Sequence, residues 1–310
     1  GDVYKRQIPQ MVELIQLLID RGHAYQSTDG SANVYFDTAS WPSYGELTNQ
    51  GLDDMESEPA ASGKKRPQDF ALWKAHKSGE PESASWNTPF GKGRPGWHIE
   101  CSAMATHYLG ENFDIHGGGL DLRFPHHENE LAQSTAAGHK FANLWLHNGL
   151  VATAGQKMSK SLGNSVSSDD LFQLASPPAV RYYLLSAHYR SVLDYQPAVL
   201  AEAQAALDRV LTFVERAQRT LSKTQYSVPA EPKTPEEFAS EMDQDLNIPA
   251  ALAVLHDKVR SGNADLDSLR YLEASQRLAE TVATLEVLGL SPENASESAA
   301  KEHNALDRLI

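Results

Sequence analysis

Hydrophobic positions follow a helical period at the start of the chain. Apolar side chains recur three or four residues apart between residues 8 and 21, at Ile8, Met11, Val12, Ile15, Leu18 and Ile19. This spacing predicts an amphipathic helix, and Gly22 is a typical stop for it. Short apolar runs predict strands over residues 23–25, 34–36, 70–74, 113–116 and 145–151. Residues 78–92 hold two prolines and two glycines and are expected to be loop.

The pattern changes after residue 198, where long helical periods replace the short apolar runs. A long amphipathic helix is predicted from Val199, with its apolar face at Leu200, Ala203, Leu207, Val210, Leu211 and Val214. Further helices are predicted after it over residues 249–259 and 269–288, and two short helices over 169–174 and 179–186 are predicted to connect the two halves of the chain. The run Thr234-Pro235-Glu236-Glu237 fits a capping box, and Gly289 fits a helix stop. This part of the chain is therefore predicted to be an all-helical bundle.

Composition narrows the class of protein. The chain has 310 residues and is 41% apolar, which is enough for two domains with hydrophobic cores. Its net charge of −14 argues against a generally basic nucleic-acid-binding protein. There is one cysteine, and no apolar run reaches the length of a membrane span. We therefore expect a cytoplasmic protein with no membrane partner.

Candidate metal ligands lie in the middle of the chain. Cys101 has no second cysteine with which to form an internal disulfide, and His126 and Glu130 lie four residues apart. If a helix opens at His126, those two side chains share one face, while His127 points to another face. Thiolate, imidazole and carboxylate all bind zinc, and three such ligands leave one coordination position open. Spacing alone leaves two interpretations: a zinc site, or a buried cysteine beside a polar helix start.

Candidate phosphate-binding residues lie in two glycine-rich places. Lys157 and Lys160 belong to the run Lys-Met-Ser-Lys-Ser at 157–161. Two lysines on a mobile loop could stabilise charge on a leaving pyrophosphate, although a solvated turn is the simpler interpretation. The second place is the run Gly117, Gly118 and Gly119. Because glycine has no side chain, a ligand could approach this backbone closely; a tight turn is the other interpretation.

The order and spacing of four strings resemble one family of enzymes. Gly-Trp-His-Ile-Glu-Cys at 96–101, Phe-Asp-Ile-His-Gly-Gly-Gly at 113–119 and Phe-Pro-His-His-Glu-Asn-Glu at 124–130 precede the lysine run. Together they resemble the cysteinyl-tRNA synthetases, which are class I aminoacyl-tRNA synthetases. The resemblance extends from about Ile8 to the C-terminus. It implies an α/β fold: the second half of a class I Rossmann-like parallel sheet with its insertion, followed by an all-α helical bundle.

The resemblance also implies roles for particular residues. Three of the family's four zinc ligands map onto Cys101, His126 and Glu130. In the signature loop, Lys157 and Lys160 are assigned to catalysis, and Lys160 is also the lysine that contacts ATP. The glycines proposed to bind the nucleotide with it are Gly117, Gly118 and Gly119. The amino-acid pocket of the family maps onto Trp97, His116 and Asp121.

A division of the chain follows from the same resemblance. Residues 1–7 do not fit the family pattern and are expected to be a non-native, adapter-like tail. The remainder of the catalytic domain is expected over 8–165, with its connective insertion over about 8–92. A helical connector over 166–198 and a truncated anticodon-binding-type helical domain over 199–310 would follow. The family's His-x-Gly-His type motif and its other zinc cysteine are missing, so we expect an internal fragment that is inactive by itself.

The family's reaction is the ATP-dependent activation of L-cysteine to cysteinyl adenylate, followed by transfer of the cysteinyl group to tRNA(Cys). The resemblance implies ATP with Mg²⁺, L-cysteine and tRNA(Cys) as partners and one Zn²⁺ per chain that recognises the substrate thiol. We expect a monomer. Two alternatives stay open: the cysteine ligase of mycothiol synthesis, which uses an amino-sugar acceptor, and a fragment that binds zinc without catalysis. Assays of tRNA charging and of amino-sugar ligation separate the two enzymes.

Overall fold

A computed structural model describes residues 6–51, 63–153, 155–158, 163–226 and 232–291 of the protein. Contacts divide the chain into two compact units, residues 1–148 and residues 149–310. We call them the N-terminal unit and the C-terminal unit. Within the described ranges, none of the helices combines the length and the apolar character that crossing a bilayer requires.

The N-terminal unit opens with helix α1, Ile8–Asp20. Its apolar face is buried, and Met11, Ile15 and Leu18 are completely inaccessible to solvent. Gly22 adopts a left-handed conformation with φ of 82° directly after the helix. The helix and its stop are confirmed as predicted, because a period of three to four apolar residues places one stripe of an α-helix against a core.

An antiparallel sheet follows α1. Its strands are β1 Ala24–Gln26, β2 Val34–Phe36, β3 Phe70–Ala75, β4 Trp86–Thr88 and β5 Gly91–Pro95, in the order β1-β2-β3-β5-β4. The prediction of loop over 78–92 is therefore wrong, since β4 and the start of β5 lie there. β5 has no alternation of apolar side chains. Its close pairing with β3 requires glycine at position 93, because a Cβ there would lie only 2.2 Å from the carbonyl oxygen of Lys74.

Strands β6, Asn112–Gly119, and β7, Phe141–Asn148, pair in parallel. The predicted end of β6 at residue 116 is wrong: Gly117 pairs with Leu146, and the other two glycines continue the pairing. The glycines therefore lie inside the strand and do not follow it. The prediction of one strand over 145–151 is also wrong, because β7 starts earlier and stops before Val151. Backbone pairing sets these limits, and it does not depend on side-chain polarity.

Helices α2, Trp97–Leu109, and α3, Glu128–Ala136, carry the candidate ligands. The sequence pattern predicts a helix only over residues 102–109, with Cys101 just before it. The observed helix begins at Trp97, so that prediction is wrong and Cys101 lies within α2. In the first turn of α2, His98 is buried as well as Ile99. Because a histidine does not count as an apolar position, the apolar period does not indicate that this turn is helical. A turn of π type, Arg123–His127, leads into α3, which begins two residues after the predicted opening at His126.

The C-terminal unit begins with a small mixed sheet. Strand β8, Val151–Thr153, pairs antiparallel with β9, Gln156–Lys157, and parallel with β10, Leu193–Tyr195. The helices of the unit are α4 Ser168–Leu174, α5 Pro177–Leu185, α6 Pro197–Leu221, α7 Glu236–Asp243, α8 Ile248–Asp267 and α9 Tyr271–Leu288. Their apolar faces form one core, which includes the fully buried Leu200, Val210 and Leu278. The predicted bundle is confirmed.

Two details of the bundle differ from prediction. The N-cap of α7 is Pro235, and no side-chain cap bond is present there among the described residues, so the capping box at 234–237 is wrong. A capping box does occur at α4, where Ser167 and Asp170 cap each other's backbone. The helix predicted over 249–259 continues to Asp267, because Leu266 and Asp265 are buried at its end and Asp265 pairs with Arg270 at 2.5 Å.

Candidate metal and substrate site

Three elements of the N-terminal unit bring the predicted metal ligands together. Helix α2 supplies Cys101, the π-type turn supplies His126 and α3 supplies Glu130. The Sγ of Cys101, an imidazole nitrogen of His126 and a carboxylate oxygen of Glu130 lie within 4.8 Å of one another. Although the α-helix proper begins only at Glu128, the turn before it preserves the relation of i to i+4. The Nε2 of His126 lies 2.5 Å from the Oε1 of Glu130.

Glu130 is the centre of this group. Its side chain is fully buried, and its Oε2 lies 2.8 Å from the Nε2 of His116. Burial raises the pKa of the carboxyl, but the imidazoles of His116 and His126 outweigh burial and lower the pKa to about 2. Neither oxygen has an aligned hydrogen bond with a donor in the described part of the chain. A buried carboxylate in this condition is stabilised by a cation.

The thiol of Cys101 has the opposite tendency. Burial, together with the negative charges of Glu130 and Glu100, raises its pKa to about 12. A thiolate beside a buried carboxylate is therefore unfavourable unless a cation neutralises both. Sulfur, nitrogen and oxygen donors at this spacing fit Zn²⁺, which accepts all three ligand types. The residues present thus fit the metal that the sequence predicts.

Sequence reasoning missed three histidines around the predicted ligands. The Nδ1 of His98 lies 2.9 Å from the Nδ1 of His126, and the Nδ1 of His127 lies 2.8 Å from the Nε2 of His147. Burial lowers the pKa of His98 to about 3 and that of His127 to about 4, so both rings are neutral at pH 7. The expectation that His127 faces away from Glu130 is wrong, since it lies with His116 and Glu130 within 4.8 Å.

A signal for these histidines is present in the strands. In the parallel register, His116 pairs with Trp145 and Gly118 pairs with His147. Residues two apart on a strand share a face, so His116 and Gly118 lie on one side of the β6-β7 pair, together with Trp145 and His147, with which they pair. The absence of a Cβ at Gly118 lets His127 approach that side: a Cβ would lie 2.8 Å from the Cε1 of His127.

The residues predicted to bind the amino acid lie in different surroundings. Trp97 is 53% exposed and its ring stacks on that of His126, with centroids 4.3 Å apart. His116 lies against Glu130 and meets Trp145 edge-on at 4.8 Å. Asp121 lies in the short turn Leu120–Leu122 that follows β6, and it is exposed. Trp97 and His116 therefore border the candidate ligands Cys101, His126 and Glu130, which we call the metal group.

The predicted nucleotide residues are described only in part. Gly117, Gly118 and Gly119 lie at the C-terminal end of β6, which is the edge where open parallel sheets bind ligands. Lys157 ends β9, where its backbone pairs with Ala152. Lys160 and the side chain of Lys157 lie outside the described residues.

Comparison with known protein families gives two matches. A family model described as the tRNA synthetases class I (C) catalytic domain matches residues 3–205. A second model, the DALR domain, matches residues 237–291.

Curated relatives agree with these matches. A cysteine--tRNA ligase of Clavibacter michiganensis subsp. michiganensis is 60% identical over 92% of this chain and 60% of its own length. A cysteine--tRNA ligase of an Arthrobacter species is 57% identical over 98% of this chain and 64% of its own length. The chain thus spans about 60% of the length of the curated relatives it matches.

Solved structures with the same fold are more distant. A methionyl-tRNA synthetase of Mycobacterium tuberculosis in complex with methionyl-adenylate has a TM-score of 0.58 and 14% identity, over 92% of this chain and 71% of that one. The LeuRS of Agrobacterium radiobacter K84, in a ternary complex with tRNA and LeuAMS, has a TM-score of 0.52 and 16% identity, over 73% of this chain and 35% of that one. The predicted fold class is confirmed. Because the catalytic-domain model covers well over half of the chain, the chain belongs to the class I tRNA synthetase family, in the branch whose curated relatives are cysteine--tRNA ligases.

Proposed function

We propose that the whole protein is a cysteine--tRNA ligase, which activates L-cysteine with ATP and transfers the cysteinyl group to tRNA(Cys). The observation that carries the proposal is the convergence of Cys101, His126 and Glu130 within 4.8 Å in a chain whose relatives are named cysteine--tRNA ligase. Catalysis in this reaction rests on positioning and charge stabilisation, since no covalent enzyme nucleophile is required.

Recognition of the thiol is assigned to the metal group. Cys101, His126 and Glu130 would hold Zn²⁺, which would supply an open coordination position for the sulfur of the substrate. This matters because a hydrophobic pocket separates near-isosteric substrates by only about 10–200-fold. Serine differs from cysteine by one atom and offers a harder, much less acidic group. The neutral rings of His98 and His127 keep the surroundings of the metal group free of competing positive charge.

The remaining predicted residues complete the proposed site. The exposed ring of Trp97, held by stacking on His126, would form one wall of the amino-acid pocket. His116 would orient Glu130, and Asp121 would accept the substrate ammonium group. The backbone of β6 at Gly117, Gly118 and Gly119 would approach the nucleotide. Lys157 and Lys160 would stabilise the charge of the phosphates, with Mg²⁺ accompanying the ATP.

The domain division belongs to the same proposal. Residues 8–165 would form the remainder of the catalytic domain, with the connective insertion over about 8–92. Residues 166–198 would connect it to an anticodon-binding-type helical domain over 199–310. The DALR match at 237–291 lies inside the last range.

Amino-acid-dependent pyrophosphate exchange by the whole protein tests the proposal. The wild-type protein should exchange with cysteine and far more weakly with serine, and it should charge tRNA(Cys). In Cys101→Ser, cysteine-dependent exchange should fall at least about tenfold, the loss expected when a metal site is damaged. The matched control is His107→Gln, an exposed position on the same helix. Absence of cysteine-dependent exchange in the wild-type protein would overturn the proposal.

A further inference from the structure

The two oxygens of Glu130 face different sets of donors. Oε1 lies 2.5 Å from the Nε2 of His126, and Oε2 lies 2.8 Å from the Nε2 of His116. The first oxygen therefore belongs with His126 and Cys101. The second faces His116, and one ligand atom each from His116, His127 and Glu130 lie within 4.8 Å of one another. Glu130 is thus common to two ligand sets that differ in one respect: the first contains sulfur and the second does not.

Both sets are built into the fold and not formed by chance on a surface. Glu130 is fully buried, and His126 and His127 are 5% and 2% exposed. Both oxygens of Glu130 lack an aligned hydrogen bond within the described ranges. The imidazole nitrogens that face these oxygens, from His126 and from His116, are themselves metal-ligand atoms, one in each set. A buried carboxylate is costly unless positive charge lies beside it, and a metal ion in the second set would supply that charge.

Outer histidines support both sets in the same way. His98 contacts the Nδ1 of His126, and His147 contacts the Nδ1 of His127. Metal-binding histidines usually have the second ring nitrogen held by another group, which fixes the ring and leaves the first nitrogen for the metal. With Nδ1 of His127 engaged, its Nε2 is the nitrogen that a metal would bind. Gly118 brings the strand backbone against this ring, where a Cβ would lie 3.0 Å from Nε2.

We propose that His116, His127 and Glu130 form a second metal-binding set, free of sulfur, that takes a divalent transition-metal ion when Cys101 is not available as a ligand. Two imidazoles and a carboxylate suit Zn²⁺, Co²⁺, Ni²⁺ and Fe²⁺. The two sets are alternatives because they share one carboxylate. Two dications at such a distance would carry four positive charges against the two negative charges of Cys101 thiolate and Glu130, and they would repel each other.

Visible absorption of Co²⁺ bound to the purified 310-residue chain tests the second set. The wild-type chain should show the thiolate-to-cobalt charge-transfer band. Cys101→Ser and Cys101→Ala should both lose that band and still bind about one Co²⁺ per chain, with ligand-field bands typical of nitrogen and oxygen donors. Adding His127→Gln to either variant should weaken Co²⁺ binding at least about tenfold. Adding His107→Gln instead should change nothing, because His107 lies in neither set and is exposed.

Two results would overturn the inference. One is that both Cys101 variants, folded by near-ultraviolet circular dichroism, bind no Co²⁺. The other is that Co²⁺ affinity is the same with and without His127→Gln. With Cys101 intact, His127→Gln should leave the charge-transfer band in place, which shows that the two sets are separate. The inference rests on the proposed zinc set through Glu130, but it is tested by spectra, whereas the proposed function is tested by exchange.

Discussion

Gly118 shows how one missing side chain shapes the candidate site. A Cβ at this position would lie 2.8 Å from the Cε1 of His127 and 3.1 Å from a methyl group of Leu122. His127 cannot move away easily, because it is buried and its Nδ1 contacts His147. The residue that looks like part of a flexible glycine run is therefore required for histidine packing.

Gly118→Ala is expected to destabilise the chain by about 1–3 kcal/mol, the usual cost of overpacking. Gly117→Ala is the matched control in the same strand, since its Cβ would come no closer than 3.3 Å to another atom. Urea unfolding followed by circular dichroism measures both. Equal free energies of unfolding for the two variants would show that the contact with His127 does not constrain residue 118.

Asp245 in the C-terminal unit gives a test of a charge interaction. Hydrogen bonds from Arg190 and from the hydroxyl of Tyr189 lower the pKa of this carboxyl to about 2. A carboxyl with a lowered pKa stabilises the fold at pH values above its ordinary pKa of 3.8, and this contribution is lost as the pH falls towards 2.

Arg190→Ala should raise the pKa of Asp245 back towards 3.8, because the largest cause of the shift is removed. The carboxyl carbon signal of Asp245 in a nuclear magnetic resonance titration reports this directly. Arg260→Ala serves as the control, since Arg260 pairs with Asp257 and not with Asp245. A pKa of Asp245 that stays near 2 in Arg190→Ala would contradict the assignment.

At the scale of elements, the first turn of α3 joins the candidate metal ligands to the turn at residues 44–48. Glu128 accepts hydrogen bonds from the backbone N–H of Gly45 at 2.8 Å and from the backbone N–H and hydroxyl of Thr48 at 2.9 Å and 3.0 Å. Asn129 accepts one from the hydroxyl of Tyr44 at 2.6 Å. Glu128 and Asn129 thus hold the 44–48 turn, and the next residue of the same helix, Glu130, is a candidate metal ligand. A cavity of about 480 Å³ lies between that turn, α3 and β7.

Glu128→Gln should cost about 1–3 kcal/mol, since an amide cannot replace a charged acceptor of three hydrogen bonds. Amide hydrogen exchange at Gly45 and Thr48 should accelerate in the same variant, which a general loss of stability would not confine to these residues. Glu111→Gln is the control, because the side chain of Glu111 is 71% exposed. Unchanged exchange at Thr48 would show that Glu128 does not hold the turn.

At the scale of the whole molecule, the residues assigned to the proposed reaction are distributed over the two units. The metal group lies in the N-terminal unit, and the lysine run at 157–161 belongs to the C-terminal unit. The role of the lysine run is therefore tested by measuring the activity of variants of the whole protein.

Lys160→Ala should lower the rate of pyrophosphate exchange by roughly 10²-fold or more, as expected for the loss of one electrostatic stabiliser of the leaving group. Binding of cysteine should change much less, because the charge acts on the phosphates. Lys140→Ala, an exposed lysine elsewhere in the chain, is the control. An exchange rate equal to that of the wild-type protein would refute the role of Lys160.

The sequence by itself determined the features that depend on neighbours along the chain. Helical periods gave α1 and the bundle that contains α6 and α9, because an apolar stripe must face a core whatever that core is. The spacing of His126 and Glu130 places them one turn apart, and the motif strings identified the family.

Only the tertiary structure decided which distant residues meet. The contacts of His98 with His126 and of His127 with His147, and the division of the Glu130 oxygens between two donor sets, depend on how α2, α3, β6 and β7 pack. The limits of β5 and β6 depend on backbone pairing, which glycine-rich strands achieve without any apolar alternation. The sequence pattern within one helix or strand indicates which of its faces is buried. A metal site forms where several such elements pack together, and the pattern of a single element does not specify which others it will contact.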